Sequence, residues 1–273
     1  MRATPLVGME NHRIIEAMLL SQSTWKEVDA YLARSRGIAV PLGSTEQHGP
    51  MGLIGTDAQT AEAVARGLGE REQVLVTPTL SLGVAQFNLG FPGTISVRAT
   101  TLMALIEDLV LSLACQGFER FYFVNGHGGN IAPARAVFQD IYAGWSLGTR
   151  GGRAPRCRLR SWWEYPEADR LRRELYGAGE GMHATPSEIA ITQHTLPASR
   201  RESALPAPTP LAPEFLRDHG GDNHWDAGTH RAAFPDGRVG SDSSLARPDH
   251  GSRLLAAAIE GAVLDYRAFM TEP

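Results

Sequence analysis

Two short apolar runs, each ending in a cluster of glycine and polar residues and each followed by a helical pattern, constrain this chain more than any other feature. Gly37-Ile-Ala-Val-Pro-Leu-Gly43 is bounded by glycines and reads as a buried strand that stops where Ser44-Thr-Glu-Gln-His48 begins. Asp57 to Glu70 then opens with a residue of N-cap type and continues with alanine, valine and leucine at helical spacing. The second run, Phe118-Glu-Arg-Phe-Tyr-Phe-Val124, is rich in aromatic and β-branched residues and ends in Asn125-Gly-His-Gly-Gly-Asn130, with a helix expected over Ala132 to Tyr142.

The remaining pattern agrees. Val74 to Leu80 is a further strand candidate, Thr100 to Gln116 is a strongly apolar helix closed by Gly117, and Cys157 to Trp163 is a possible strand. Helices are expected from Ser187 to Thr195 and from Ser252 to Met270, and an amphipathic stretch precedes Gly37. Strands alternating with helices predict an α/β fold with a mainly parallel sheet covered on both faces and ligands beyond the carboxyl ends of the strands. Residues 144–156 and 196–214, rich in Gly, Pro, Ser and Arg, read as surface loops, and residues 1–273 as one domain.

Composition narrows the function classes. A net charge of -4 from 26 basic and 30 acidic residues gives no positive field for a phosphate backbone, which excludes nucleic acid as the expected partner. Cys115 and Cys157 lack CxxC spacing and read as structural. Lysine occurs once, at Lys26, a bias that carries no function. Met1 to Ser21 has no continuous apolar core of the leader type and no stretch is long enough to span a bilayer, so no membrane partner and a cytoplasmic address are expected.

Glu46 and His48, two apart at a strand end, present both side chains on one side of an extended backbone. Asp57 follows nine residues beyond His48 at a helix start, and His127 arrives from the second strand end among glycines that let the backbone approach a ligand. Any one of these alone is ordinarily a cap or a surface group. Together two imidazoles and two carboxylates make a shell for zinc, manganese or iron, with Asp57 placed to bridge a pair of ions about 3.5 to 4 Å apart.

Gly43-Ser-Thr-Glu-Gln-His-Gly-Pro50, Thr56-Asp57, Phe91-Pro-Gly-Thr94, Asn125-Gly-His-Gly-Gly-Asn130 and Gly237-Arg-Val-Gly-Ser-Asp242 stand in order along the chain. In these motifs the sequence resembles the creatininase (creatinine amidohydrolase) family. The resemblance implies a three-layer α/β/α sandwich, homo-oligomeric and often hexameric, with two divalent metal ions per subunit. It makes Glu46 and His127 ligands of one ion, His48 a ligand of the other, and Asp57 the bridge. His183 and Glu188 match a later family segment, here Met182-His-Ala-Thr-Pro-Ser-Glu-Ile189.

The chain departs from creatininase itself, which carries a glutamate ligand where Gly129 stands; Glu188 is the candidate to supply that carboxylate. Thr185 and Pro186 replace a family glycine and glutamate, and Met51-Gly52-Leu53 replaces His-Leu-Pro. His183 is expected to stabilise developing charge or move a proton, and Glu188 to share in catalysis. Trp162 and Trp163 are expected to offer one wall to the pocket, at most one of the pair facing it if both lie in a strand. His224, Trp225, Asp226 and His230 read better as a surface or interface loop than as a metal site.

The expected activity is hydrolysis of a non-peptide or cyclic amide C–N bond of a small molecule by a metal-activated water. Alternatives are a metal-dependent sugar or lactone isomerase or ring-opening enzyme, a peptidase of the mycofactocin-maturation type, and a non-catalytic metal-stabilised subunit.

Overall fold

The computed structural model describes residues 18–273, so most of the amphipathic stretch and of the segment expected to lack an apolar leader core lies outside the described residues. The elements run α1 (Trp25–Leu32), β1 (Gly37–Leu42), α2 (Thr56–Glu72), β2 (Leu75–Val76), α3 (Ala99–Ala114), β3 (Arg120–Asn125), α4 (Ile131–Ser146) and β4 (Arg156–Ser161). They continue with α5 (Pro166–Tyr176), α6 (Pro186–Thr195), α7 (Pro213–Asp218), α8 (Ala227–Ala233) and α9 (Pro248–Thr271). All strand pairs are parallel, in the order β2-β1-β3-β4.

Alternation along β1 and β3 builds two cores. Ile38, Val40, Leu42, Phe121 and Phe123 face α1, α3 and α4, while Ala39, Tyr122 and Val124 face α2, α5, α6 and α9. Every residue of both strands is buried, which is why each reads as a continuous apolar run. The three-layer α/β/α sandwich is the observed architecture.

The chain leaves β1 toward β2 on one side and returns to β3 on the other, so β1 and β3 are neighbours at the point where the strand order reverses. Leu42 pairs in register with Asn125, and the Gly126 amide donates to the Leu42 carbonyl at 2.8 Å. The two polar loops therefore start at the same height.

Several boundaries differ from expectation; the last helix, expected from Ser252, starts at Pro248, and α3 ends at Ala114 instead of Gln116. The strand read over Val74 to Leu80 pairs only at Leu75–Val76; beyond it Pro78 has no N–H to offer a ladder, and Thr77 and Leu80 are tied to β1 by single bonds to the Ala39 and Pro41 carbonyls. The strand read to Trp163 stops at Ser161, where the Glu164 carboxylate accepts the Ser161 amide at 2.9 Å and turns Trp162–Glu164 into a 3-10 turn. The loop read over 144–156 begins later, because α4 runs on to Ser146. Among the described residues no helix is long and apolar enough to cross a membrane.

Candidate metal centre

Glu46 lies in the loop after β1, fully buried, its amide donating to the Ile54 carbonyl at 2.7 Å. His48 follows with Nδ1 donating to the Glu46 carbonyl at 3.1 Å, which turns Nε2 inward to 2.9 Å from Asp57 Oδ1 and 3.7 Å from Glu188 Oε1. Asp57 sits in the first turn of α2, where the positive end of the helix favours a carboxylate.

Two asparagines fix the loop after β3: Asn125 ties it to itself, and Asn130 ties it to the end of β1. Asn125 Nδ2 donates to the His127 carbonyl at 2.7 Å, while Asn130 Nδ2 donates to the Gly43 carbonyl at 2.9 Å and Asn130 Oδ1 accepts the Val84 amide at 3.2 Å. His127 Nε2 donates to the Val84 carbonyl at 2.9 Å, leaving Nδ1 facing Asp57 Oδ2 at 3.2 Å and Glu46 Oε1 at 3.3 Å. A side chain at Gly129 would press its Cβ to 2.2 Å from that same carbonyl, so the position stays bare.

His183 and Glu188 flank a turn at Ala184, whose φ of 57° is left-handed, a strained conformation for a residue other than glycine. His183 Nε2 donates to the Gln47 carbonyl at 2.8 Å, and Nδ1 lies 3.5 Å from Glu46 Oε1. The departures at Thr185 and Pro186 have a local reason. Thr185 caps α6, Pro186 takes its first position, and Glu188 at the third closes a capping box by accepting the Thr185 amide at 2.6 Å.

Three sets result, each with donor atoms within 4.8 Å of one another: Glu46, Asp57 and His127; His48, Asp57 and Glu188; Glu46, His48 and His183. Glu46 Oε1, His48 Nε2 and Asp57 Oδ2 are buried and have no hydrogen-bond partner, as befits atoms that converge on a cation. The residues present fit a pair of divalent ions.

Without ions, protons carry the compensating charge. Burial alone would lower the pKa of His48, but Asp57, Glu188 and Glu46 push it up to about 10; against the same burial, Glu46 and Asp57 hold that of His127 well above the usual imidazole value. Asp57, which burial would raise, is kept below the carboxylate range by His48 and His127. Burial raises Glu188 to about 7 and lowers His183 well below the imidazole range, leaving His183 neutral. Below these raised values an ion must displace imidazole protons, so metal uptake at pH 8 releases protons and tightens as the pH rises toward 10. Calorimetry in buffers of different ionisation enthalpy measures this; uptake without proton release would show both imidazoles neutral beforehand.

The sets open on a cavity of about 320 Å³. Both tryptophans line it, a correction to the expectation that at most one would: they lie in the 3-10 turn and meet edge to face at 5.8 Å, whereas successive strand residues would point to opposite faces. Trp162 belongs to the core as well.

Two further lining residues, Arg172 and Asp222, were missed in the sequence. Arg172 Nε donates to Glu180 Oε1 at 2.8 Å, and Asp222 reaches the rim from the segment after α7. Left-handed backbone at Gly221 (φ 69°) and Asp222 (φ 56°) turns that segment, a signal that Gly220-Gly221-Asp222 carries in the sequence.

The His224 to His230 segment lies mostly at the surface, as expected, while its two histidine side chains turn inward. His224 and His230 pack on Phe87 at 4.6 and 4.8 Å, burial lowers their pKa values to about 3 and about 4, and Asp226 caps α8 while Trp225 is exposed. Among the described residues no potential metal set includes them.

A family model described as creatinine amidohydrolase matches residues 21–264. The chain belongs to the creatininase family. A mycofactocin precursor peptide peptidase of Mycobacterium tuberculosis is 30% identical over 258 residues, 88% of each chain. A creatinine amidohydrolase of Pseudomonas putida is 33% identical over 121 residues, 42% of this chain and 46% of that one. The crystal structure of creatininase shares the fold with a TM-score of 0.76 over 94% of this chain and 99% of that one at 23% identity, and solved creatininase forms include a manganese and a zinc-zinc form. This is a divergent member of the creatininase family, distinct from creatininase itself.

Proposed function

We propose that this chain is a binuclear metal-dependent amidohydrolase that cleaves the C–N bond of a small amide or lactam. The observation that carries the reading is the sharing of Asp57 between two donor sets whose inward atoms lack hydrogen-bond partners. Glu46 and His127 would hold one divalent ion, His48 and Glu188 the other, and Asp57 both. Zinc, manganese and iron suit this donor set. Such ions acidify water and polarise an amide carbonyl.

The chain's own residues do the rest. His183 Nε2–H is fixed on the Gln47 carbonyl, which leaves Nδ1 as the basic atom beside Glu46, and a neutral imidazole there can take a proton and pass it to the leaving nitrogen. Trp162 and Trp163 form part of the cavity wall, and with their rings at right angles one can offer its face to a planar amide. A volume near 320 Å³ suits a small molecule or the end of a chain, not a strand threading through. One domain over 1–273 and a homo-oligomer, of hexameric size, complete the proposal.

A second reading, cleavage at the end of a peptide, is favoured by the 30% identity to the mycofactocin precursor peptide peptidase along 88% of both chains. Metal analysis by mass spectrometry together with amine release from a panel of lactams, formamides, linear amides and short peptides tests both. The expected result is two ions per chain and turnover confined to one substrate class. Absence of hydrolysis from the ion-loaded protein, with conversion of sugars or lactones instead, would replace the amidohydrolase by an isomerase or ring-opening enzyme; no turnover at all would leave a metal-stabilised subunit.

A further inference from the structure

We propose that Arg172 is the substrate anchor of this cavity and grips a carboxylate, so that the amide cleaved here belongs to a molecule that also carries an acid group. The inference rests on the amidohydrolase reading above and names its substrate class. Among the described residues, Arg172, in α5, is the one lysine or arginine that lines the cavity of about 320 Å³. The other ionisable side chains there are acids and imidazoles. Its ion-pair partners are Glu180 and, at 3.7 Å, Asp169, not the carboxylates of the donor sets.

The pairing with Glu180 leaves the guanidinium fork open. Arg172 Nε donates to Glu180 Oε1 at 2.8 Å, and Nη1 reaches only the Trp163 carbonyl, at 3.5 Å. Arginine and carboxylate frequently meet through two parallel bonds. Here Glu180 Oε2 is buried with no hydrogen-bond partner, and Nη2 donates to no described residue. Nη2 is not one of the buried unpartnered atoms either, so it faces open space. The spaces that Arg172 borders are the metal cavity and a neighbouring recess of about 770 Å³, which share Arg172 and Gly181 as wall.

The fork is open yet fixed. The side chain is 16% exposed, and Cζ lies 5.8 Å from the Trp162 ring centroid. Glu180 is held in turn by the Ser187 hydroxyl, which stands 3.1 Å from Thr185 Oγ1 at the start of α6, the helix start that also carries Glu188. The anchor and the proposed centre therefore hang on one backbone segment. A planar fork that is already oriented loses little freedom on binding, and its spare N–H groups match the oxygens of a carboxylate.

The test measures binding by calorimetry, and release of ammonia or amine, for matched pairs with zinc supplied: succinamate beside succinamide, glutaramate beside glutaramide, and glycylglycine beside its carboxyl-terminal amide. The first two pairs stand for small acidic amides and the third for the end of a peptide. Wild type is expected to bind the acid of at least one pair about 10- to 100-fold more tightly than its neutral partner, the range for hydrogen bonds to a charged group. Arg172→Gln should lose that preference, and Arg172→Lys should keep part of it. Each pair is its own reference, so damage to the wall or to α6 would weaken both members alike and leave their ratio unchanged. A preference for the acid that survives Arg172→Gln would put the carboxylate on the ions and overturn the anchor. Equal binding of acid and neutral partner by wild type in every pair would overturn it too, whether or not the amides are cleaved. Carboxylate-dependent binding that needs Arg172, with no release of ammonia or amine, would keep the anchor and overturn the amidohydrolase.

Discussion

Under the proposed binuclear reading, Asp57→Ala is expected to purify without either ion and to hydrolyse an amide substrate at least ~10³-fold more slowly, because the acidified water that two such ions would supply would be lost. One carboxylate spans both halves of the centre: Oδ1 is 2.9 Å from His48 Nε2 and Oδ2 is 3.2 Å from His127 Nδ1. Glu188→Ala, which touches only the His48 side, should lose one ion and keep the other. Removing one partner of a buried charge pair costs about 3 to 5 kcal/mol, so Asp57→Ala also lowers stability, and Asp57→Asn provides the milder comparison. Elemental analysis beside an activity assay decides the matter; two ions retained in either Asp57 variant would remove the bridge from the proposal.

Gly126→Ala is expected to damage fold and centre together. Its Cβ would stand 2.2 Å from the Asp57 carbonyl oxygen and 3.0 Å from the Asp57 carbonyl carbon, backbone atoms that no rotamer change can move aside. The end of β3 and the start of α2 must separate, which pulls His127 away from Asp57. Overpacking of this kind costs about 1 to 3 kcal/mol, and in a chain of this size each kcal/mol lowers Tm by roughly 2 to 4 °C. Gly151→Ala, with nothing within 4 Å of the new Cβ, is the control. A Gly126→Ala protein with the parental Tm and metal affinity would show that this close approach is dispensable.

The parts readable in the sequence were those in which a local pattern has one structural outcome. The β1 and β3 runs are largely apolar because both faces of their sheet are covered, Glu46, His48 and His127 follow those strands within a few residues, and Asp57 opens the next helix. The turn at Trp162 was misplaced although Ser161 and Glu164 carry the spacing of a capping box; the hydrophobic continuity of the tryptophans hid it. Asp222 was invisible for a different reason. It meets Gly129 from 93 residues away, and nothing in a loop of glycine, asparagine and histidine states which strand end the loop will fold over. Thr185 and Pro186 looked like losses of family residues, yet they start the helix that carries Glu188.

That helix start has a consequence for how the protein breathes. Glu188 Oε1 accepts the Thr185 amide at 2.6 Å and is also the oxygen nearest His48 Nε2, at 3.7 Å. One atom thus serves both the first turn of α6 and the proposed centre. An ion that draws this oxygen toward His48 loosens the cap, and an empty centre lets the cap close. Amide hydrogen exchange at the amino end of α6 would then report metal occupancy, making a helix terminus the gauge of a site whose own donor atoms are buried.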